Sequence, residues 1–134
     1  MAEAVLDASA VLAFLRREPG EDHVRQVMPR SLLCAVNLTE VINKLIERGA
    51  AAPIAVQIAR GLPYRVVEYD EGLASEAGEL WALTRPVGLS LGDRACLALA
   101  ARERLPAMTT DQRWTQANIG VEVKLIRSAS QVST

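Results

Sequence analysis

The sequence predicts an α/β domain, a parallel sheet of four to five strands flanked by helices. Two observations carry that expectation. Short apolar runs of strand length, among them "AVL", "LLCAV" and "AMTT", alternate with longer segments whose apolar residues recur at helical spacing. Pro and Gly punctuate the joints, as in "EPGED" and "GLP", and no repeat, low-complexity tract or linker divides the chain. One domain over residues 1–134 follows, and strands alternating with helices require both faces of the sheet to be covered.

The elements can be justified in order. Glu3–Leu6 is a short apolar strand, and Ser9–Arg17 is a helix that stops at the Pro-Gly breaker. A second helix runs from Glu21 to about Met28. "LLCAV", Leu32–Val36, is a compact buried strand, and from Leu38 the apolar residues Leu38, Val41, Ile42, Leu45 and Ile46 mark a helix ended by Gly49. Ala52–Arg60 completes a helical hairpin with it. "YRVVEY" is the next strand, and Leu73, Ala77, Leu80 and Trp81 define an amphipathic helix that ends before Pro86. Gly92–Glu103 is apolar on nearly every face, as expected of a helix packed deep against a sheet. "AMTT", a brief helical turn near Gln112 and a last strand "VEVKLIR" follow. The tail, residues 127–134, is polar and is expected to fray.

Composition narrows the function classes. Lys and Arg total 15 against 16 Asp and Glu, so no global basic field advertises nucleic acid, and a polyanion would be held by local charge or by a metal. Only Lys44 and Lys124 are lysines, a bias that base composition of the genome explains as well as a preference for Arg–phosphate contacts. The N-terminus lacks a basic leader region, and Asp7 interrupts its apolar stretch. Neither a signal peptide nor a membrane span fits, and a cytoplasmic location is expected. Cys34 and Cys96 are far apart and in apolar surroundings, which reads as two reduced core residues.

Ligands of open α/β sheets bind beyond the carboxyl ends of the strands, and four acids fall there. Asp7 follows "AVL", Glu40 lies in the first turn after "LLCAV", Asp93 begins the apolar helix and Asp111 follows "AMTT". Each has a plain structural alternative. Asp7 and Asp111 fit helix N-caps, "SLGD" fits a capping box, and Glu40 precedes Lys44 by one turn as in a surface ion pair. Four independent caps need not share one sheet edge, however. Clustered carboxylates repel, and the usual remedy is a divalent cation; all-oxygen ligands point to Mg²⁺ or Mn²⁺. His23, the only histidine, sits among charged residues, which removes most Ser-His and Cys-His schemes. No GxxxxGK or GxGxxG follows a strand, so metal-activated water is the chemistry left.

Four stretches in this order, "VLDASAVLAFL", "AVNLTEVINKL", "GLSLGDRACLALA" and "AMTTDQRW", resemble PIN-domain ribonucleases, and within them the VapC-type toxins of toxin–antitoxin pairs. The resemblance spans essentially the whole chain. It implies a PIN-like three-layer sandwich and a Mg²⁺-dependent endoribonuclease with Asp7, Glu40, Asp93 and Asp111 as its acidic site. Asp7 and Asp93 match the positions most regularly treated as metal ligands in the family; Glu40 and Asp111 match those that complete the site. Ser9 and Thr109 match hydroxyl positions beside the first and last acids, where they would orient the ligands or simply cap and turn the chain. Arg94 and Arg113, each next to a site acid, could contact flanking phosphates, turn to solvent or form salt bridges.

The resemblance also implies a cognate antitoxin, an RNA substrate and a homodimer. The hairpin Asn37–Leu62 carries a surplus of aliphatic residues, Ile54, Val56, Ile58 and Leu62, which either fill the core or mark such an interface. Two other readings remain open from sequence. One is a PIN-like nuclease of RNA processing or DNA cleavage without an antitoxin. The other is a non-enzymatic interaction module or receiver-like switch, against which the chain has no early acid pair and places Lys124 inside a strand.

Overall fold

β1 (Ala4–Leu6) is the middle strand of a five-stranded parallel sheet ordered β3-β2-β1-β4-β5, with β2 at Ser31–Cys34, β3 at Arg65–Val67, β4 at Ala107–Thr109 and β5 at Val123–Leu125. The computed structural model describes residues 1–127, so the polar tail beyond Arg127 lies outside the described residues. Val5 pairs with Leu32 of β2 and with Ala107 of β4, so β1 is enclosed on both edges. Successive strand residues point to opposite faces. Ala4, Leu6, Leu33 and Met108 therefore enter one core layer, and Val5, Leu32, Cys34 and Ala107 the other.

Helices α1 (Ala8–Leu15), α2 (Glu21–Val27), α3 (Ala35–Glu47) and α4 (Ala52–Arg60) cover the first face, anchored by Val11, Val24, Val41 and Ala59. The second face is covered by α5 (Glu71–Glu79) and α7 (Leu91–Glu103), with α6 (Trp81–Thr84) between them in the chain. The result is three layers, as the sequence predicts. α7 buries Ala95 through Ala100 without a break, which is why its sequence shows no amphipathic stripe. Trp114, in a 3-10 turn at Gln112–Gln116, plugs the same layer and is fully buried.

Several boundaries and faces differ from the sequence reading. β2 ends at Cys34 and α3 begins at Ala35, three residues before the first apolar position of its stripe. The strand and helix run together because "LLCAV" suits either conformation, and no Gly or Pro separates them. The amphipathic segment after β3 breaks at Leu80 into α5 and α6, and Trp81 turns outward, 51% exposed, beneath the guanidinium of Arg85. In α4 the small residues Ala55 and Ala59 face the core, whereas Ile54, Val56 and Ile58 are exposed. Leu62 packs against the core, and the rest of the aliphatic surplus of this hairpin lies on the surface of the chain.

The last described residues fasten to the first helices. Gly20 has φ +93 and lies so close to the backbone of Ile126 that an added Cβ would stand 2.2 Å from its carbonyl oxygen. Arg127 pairs with Glu18 at 3.2 Å beside it. Gly20→Ala combines left-handed strain with a backbone collision, and a loss of about 2 kcal/mol or more is expected in urea denaturation.

Candidate active site

The strand order turns at β1. The chain steps from β1 to β2 to β3 in one direction, then crosses back to place β4 on the opposite edge of β1. Connections leaving β1 and β4 diverge at such a switch point and open a crevice at the carboxyl end of the sheet. A cleft there is lined by Asp7, Ser9, Glu40, Lys44, Asp93 and Asp111, among others. All four acids singled out in the sequence thus meet in one place.

Asp7 sits at the floor, 5% exposed. Its backbone continues the sheet ladder by donating to Met108 O at 3.1 Å, and its side chain caps α1 by accepting from Ala10 N at 2.9 Å. Ser9 Oγ donates to the same carboxylate at 2.7 Å and Thr109 Oγ1 donates at 2.6 Å. These hydroxyls are also acceptors, Ser9 from Thr110 N and Thr109 from Asp111 N, each at 3.0 Å. The two residues therefore tie the first acid to the backbone that carries the last. With each hydroxyl proton aimed at Asp7, the network suits the ionised carboxylate.

Burial opposes that ionisation. Removal from water pushes Asp7 up to about 7, against the pull of Thr109, Ser9 and Ala10, and the negative charge of Asp93 adds to the rise. Glu40 is raised for the same first reason, with Asn37 and Lys44 opposing and Asp93 adding. Asp111 is lowered, mainly by the Arg113 side chain.

Each of the other acids is held by its own element. Asp93 Oδ2 accepts from Ser90 N at 2.8 Å while Ser90 Oγ accepts from Asp93 N at 3.2 Å, the capping box that "SLGD" predicts. Asp111 caps the 3-10 turn by accepting from Arg113 N at 3.0 Å, and the Arg113 guanidinium clasps it, with Nη2 2.6 Å from Oδ2. Arg113 also donates to Gly88 O, so its exposed guanidinium is engaged by protein acceptors at the rim of the cleft. Arg94 likewise donates to Leu89 O. Glu40 does not pair with Lys44, which bonds Glu47 at 3.4 Å one turn further out. It is bound by Asn37, whose Nδ2 lies 2.8 Å from Glu40 Oε1.

Sequence reading missed two contributors. Asn37 is 1% exposed and also donates to Gly92 O at 3.1 Å, and Gly92 leaves room for the Glu40 carboxylate on its α-carbon. An Asn three residues before an acid, at the start of a helix, was the available signal for the first. For Gly92 there was only its place between Leu91 and Asp93.

The donor set fits a hard divalent cation. It is all oxygen, partly withdrawn from water and short of positive charge, and an added Cβ at residue 92 would fill the space the Glu40 carboxylate needs. Among the described residues, no three His, Cys, Asp or Glu side chains already converge tightly enough to encircle an ion.

A switch-point α/β domain with an acidic cleft is the class that fold and geometry define. Residues 4–120 match the profile of the PIN domain, and the chain belongs to that family. Solved structures similar to it include DNA-bound VapBC from Salmonella typhimurium, at 16% identity over 95% of this chain and 100% of that one, with a TM-score of 0.74. VapC20 of Mycobacterium tuberculosis, a sarcin-ricin-loop-cleaving toxin, is 18% identical over 91% of this chain and 99% of that one, with a TM-score of 0.72. VapBC-1 of nontypeable Haemophilus influenzae is 13% identical over 92% and 97%, with a TM-score of 0.70. At these identities the likeness is one of fold. No curated protein matches the chain.

The raised Asp7 carboxyl has a measurable consequence. Between its unfolded value near 3.8 and its folded value of about 7, the native state holds more protons than the unfolded chain. The metal-free protein therefore loses stability as pH rises through that window. Asp7→Asn removes the buried charge, so its melting temperature in EDTA should exceed that of the wild type by about 3 °C or more near pH 8, the gap closing towards about pH 4. A gap independent of pH in calorimetric scans would contradict burial as its cause.

Proposed function

We propose that this chain is the toxin of a toxin–antitoxin pair, a metal-dependent endoribonuclease that hydrolyses RNA phosphodiester bonds in the cytoplasm. The observation that carries the reading is Asp7, a buried carboxylate held by three donors at the switch point and facing Glu40, Asp93 and Asp111 across one cleft. A structural cap needs no such company.

Asp7, Asp93, Glu40 and Asp111 would hold Mg²⁺ or Mn²⁺. When bound, the ion supplies Lewis-acid polarisation of the phosphodiester and acidifies water for in-line attack. In that reaction the water oxygen bonds phosphorus, one ester P–O bond breaks, and the leaving oxygen takes up a proton. Ser9 and Thr109 favour the ionised form of Asp7 and orient it. Glu40 and Asp111 stand on opposite sides of it as carboxylates able to accept the water proton or orient the attacking oxygen. Lys44 lines the same cleft and offers positive charge to a phosphate.

Supporting the toxin reading are the similar folds of VapBC assemblies and the exposed aliphatic residues of α3 and α4. Ile46, Ile54, Val56 and Ile58 are between 36% and 50% exposed, more apolar surface than a helical hairpin needs for itself. A cognate antitoxin or a second copy of the chain would cover it. Among the described residues no helix is long and apolar enough to cross a membrane.

Asp93→Asn should leave the fold intact and lower RNA cleavage with Mg²⁺ by about a hundredfold or more, with loss of growth inhibition on expression. Sequencing RNA ends from cells expressing each form reads both outcomes. Co-expression of a cognate antitoxin, sought in the neighbouring reading frame, is expected to restore growth and to suppress cleavage by the purified wild type. Undiminished cleavage in a stable complex of the two would overturn the antitoxin part of the reading.

A further inference from the structure

Asn37 is a buried polar side chain with an odd balance. Both of its amide hydrogens are used, one on Glu40 Oε1 at 2.8 Å and one on Gly92 O at 3.1 Å. Its own carbonyl oxygen is buried without a partner. The reverse amide orientation would set that oxygen against a carboxylate and a carbonyl, so the donor assignment follows from the neighbours. A tie between α3 and α7 alone would need a single donor, and an orphaned buried carbonyl is disfavoured in any purely structural solution.

Directly against this pair, Gly92 carries a second local disadvantage, because glycine is a poor residue for the first turn of a buried helix. Its φ is not positive, so backbone conformation does not demand it. Space does. A Cβ at residue 92 would lie 2.4 Å from Glu40 Oε2, 2.6 Å from its carboxyl carbon and 2.7 Å from Oε1. Two unfavourable choices on two helices thus meet at one carboxylate, which is where a functional constraint shows itself.

We infer that Asn37 and Gly92 are positioning residues for Glu40: Gly92 makes the niche its carboxylate lies in and Asn37 holds Oε1 there, so that the carboxylate is kept in place for a divalent cation shared with Asp7 and Asp93. The inference rests on the metal-dependent reading above. Glu40 is only half-buried on α3, where an unrestrained Glu would sample several rotamers. The bracket of one amide donor and one missing side chain replaces that freedom with a single orientation. It also ties the first turn of α7, and with it Asp93, to the helix that carries Glu40.

The test is Mn²⁺ binding to the full chain, read by the electron paramagnetic resonance of free Mn²⁺, beside thermal unfolding of each protein. Wild type is expected to bind and Asp7→Asn to lose binding. Asn37→Leu keeps the buried volume and removes the donor, and Gly92→Ala fills the niche with one methyl. Both are expected to melt within a few degrees of wild type yet bind Mn²⁺ about tenfold or more weakly. Unchanged Mn²⁺ affinity in either folded variant overturns the inference, and should Asn37→Leu not fold, Gly92→Ala decides alone. Wild type that binds no Mn²⁺ overturns the metal reading itself, an outcome distinct from variants that match a binding wild type.

Discussion

The carboxylate of Asp7 lies on the seam between β1 and β4, and the rest of the site is arranged around holding it there. Its three donors come from α1 and from β4, so the hydrogen bonds that hold the charge also fasten the helix and the neighbouring strand to the central one. They do not offset burial completely, as the raised carboxyl shows. A buried acid left in that balance is a standing instability in the absence of a cation and a strong ligand in its presence.

Convergence of the remaining acids is a property of the parallel sheet. All strands point their carboxyl ends the same way, and a helix that returns to start the next strand has its N-terminus at that same end. Glu40 in the first half of α3 and Asp93 in the first turn of α7 are brought to the cleft by this rule, from opposite faces of the sheet. The strands are only three or four residues long, so a shift of one residue in register would turn Asp7 away from Thr109. Local caps hold Asp93 and Asp111 in the meantime. The capping box of Ser90 and the clasp of Arg113 satisfy these charges without enclosing them, and both are bonds at the rim of the cleft that a cation or a phosphate can compete for.

Most of the element order was legible from periodicity and breakers, and all four acids from their place after strands. What escaped is instructive in physical terms. "LLCAV" fuses strand and helix without punctuation, so the sequence starts α3 late, and the burial of Asn37 in its first turn escapes a reading by periodicity. Glu40 and Lys44 stand one turn apart, but the amide of Asn37 competes for the carboxylate and Lys44 turns to Glu47. In α4 the large aliphatic residues suggest a core face, yet the helix packs close through Ala55 and Ala59 and points the larger side chains outward. Spacing does not say which of two apolar faces of a short helix meets the sheet.

The sequence by itself determined the alternating architecture, the four carboxylates and the hydroxyls beside them, because strand and helix periods and residue chemistry are local properties. Tertiary structure alone decided that Thr109, 102 positions from Asp7, donates to it, that Arg113 reaches back to Gly88 O, and that Gly92 makes room for Glu40. Those facts depend on side chains from distant segments sharing a few ångströms, and no local pattern encodes a distance between segments.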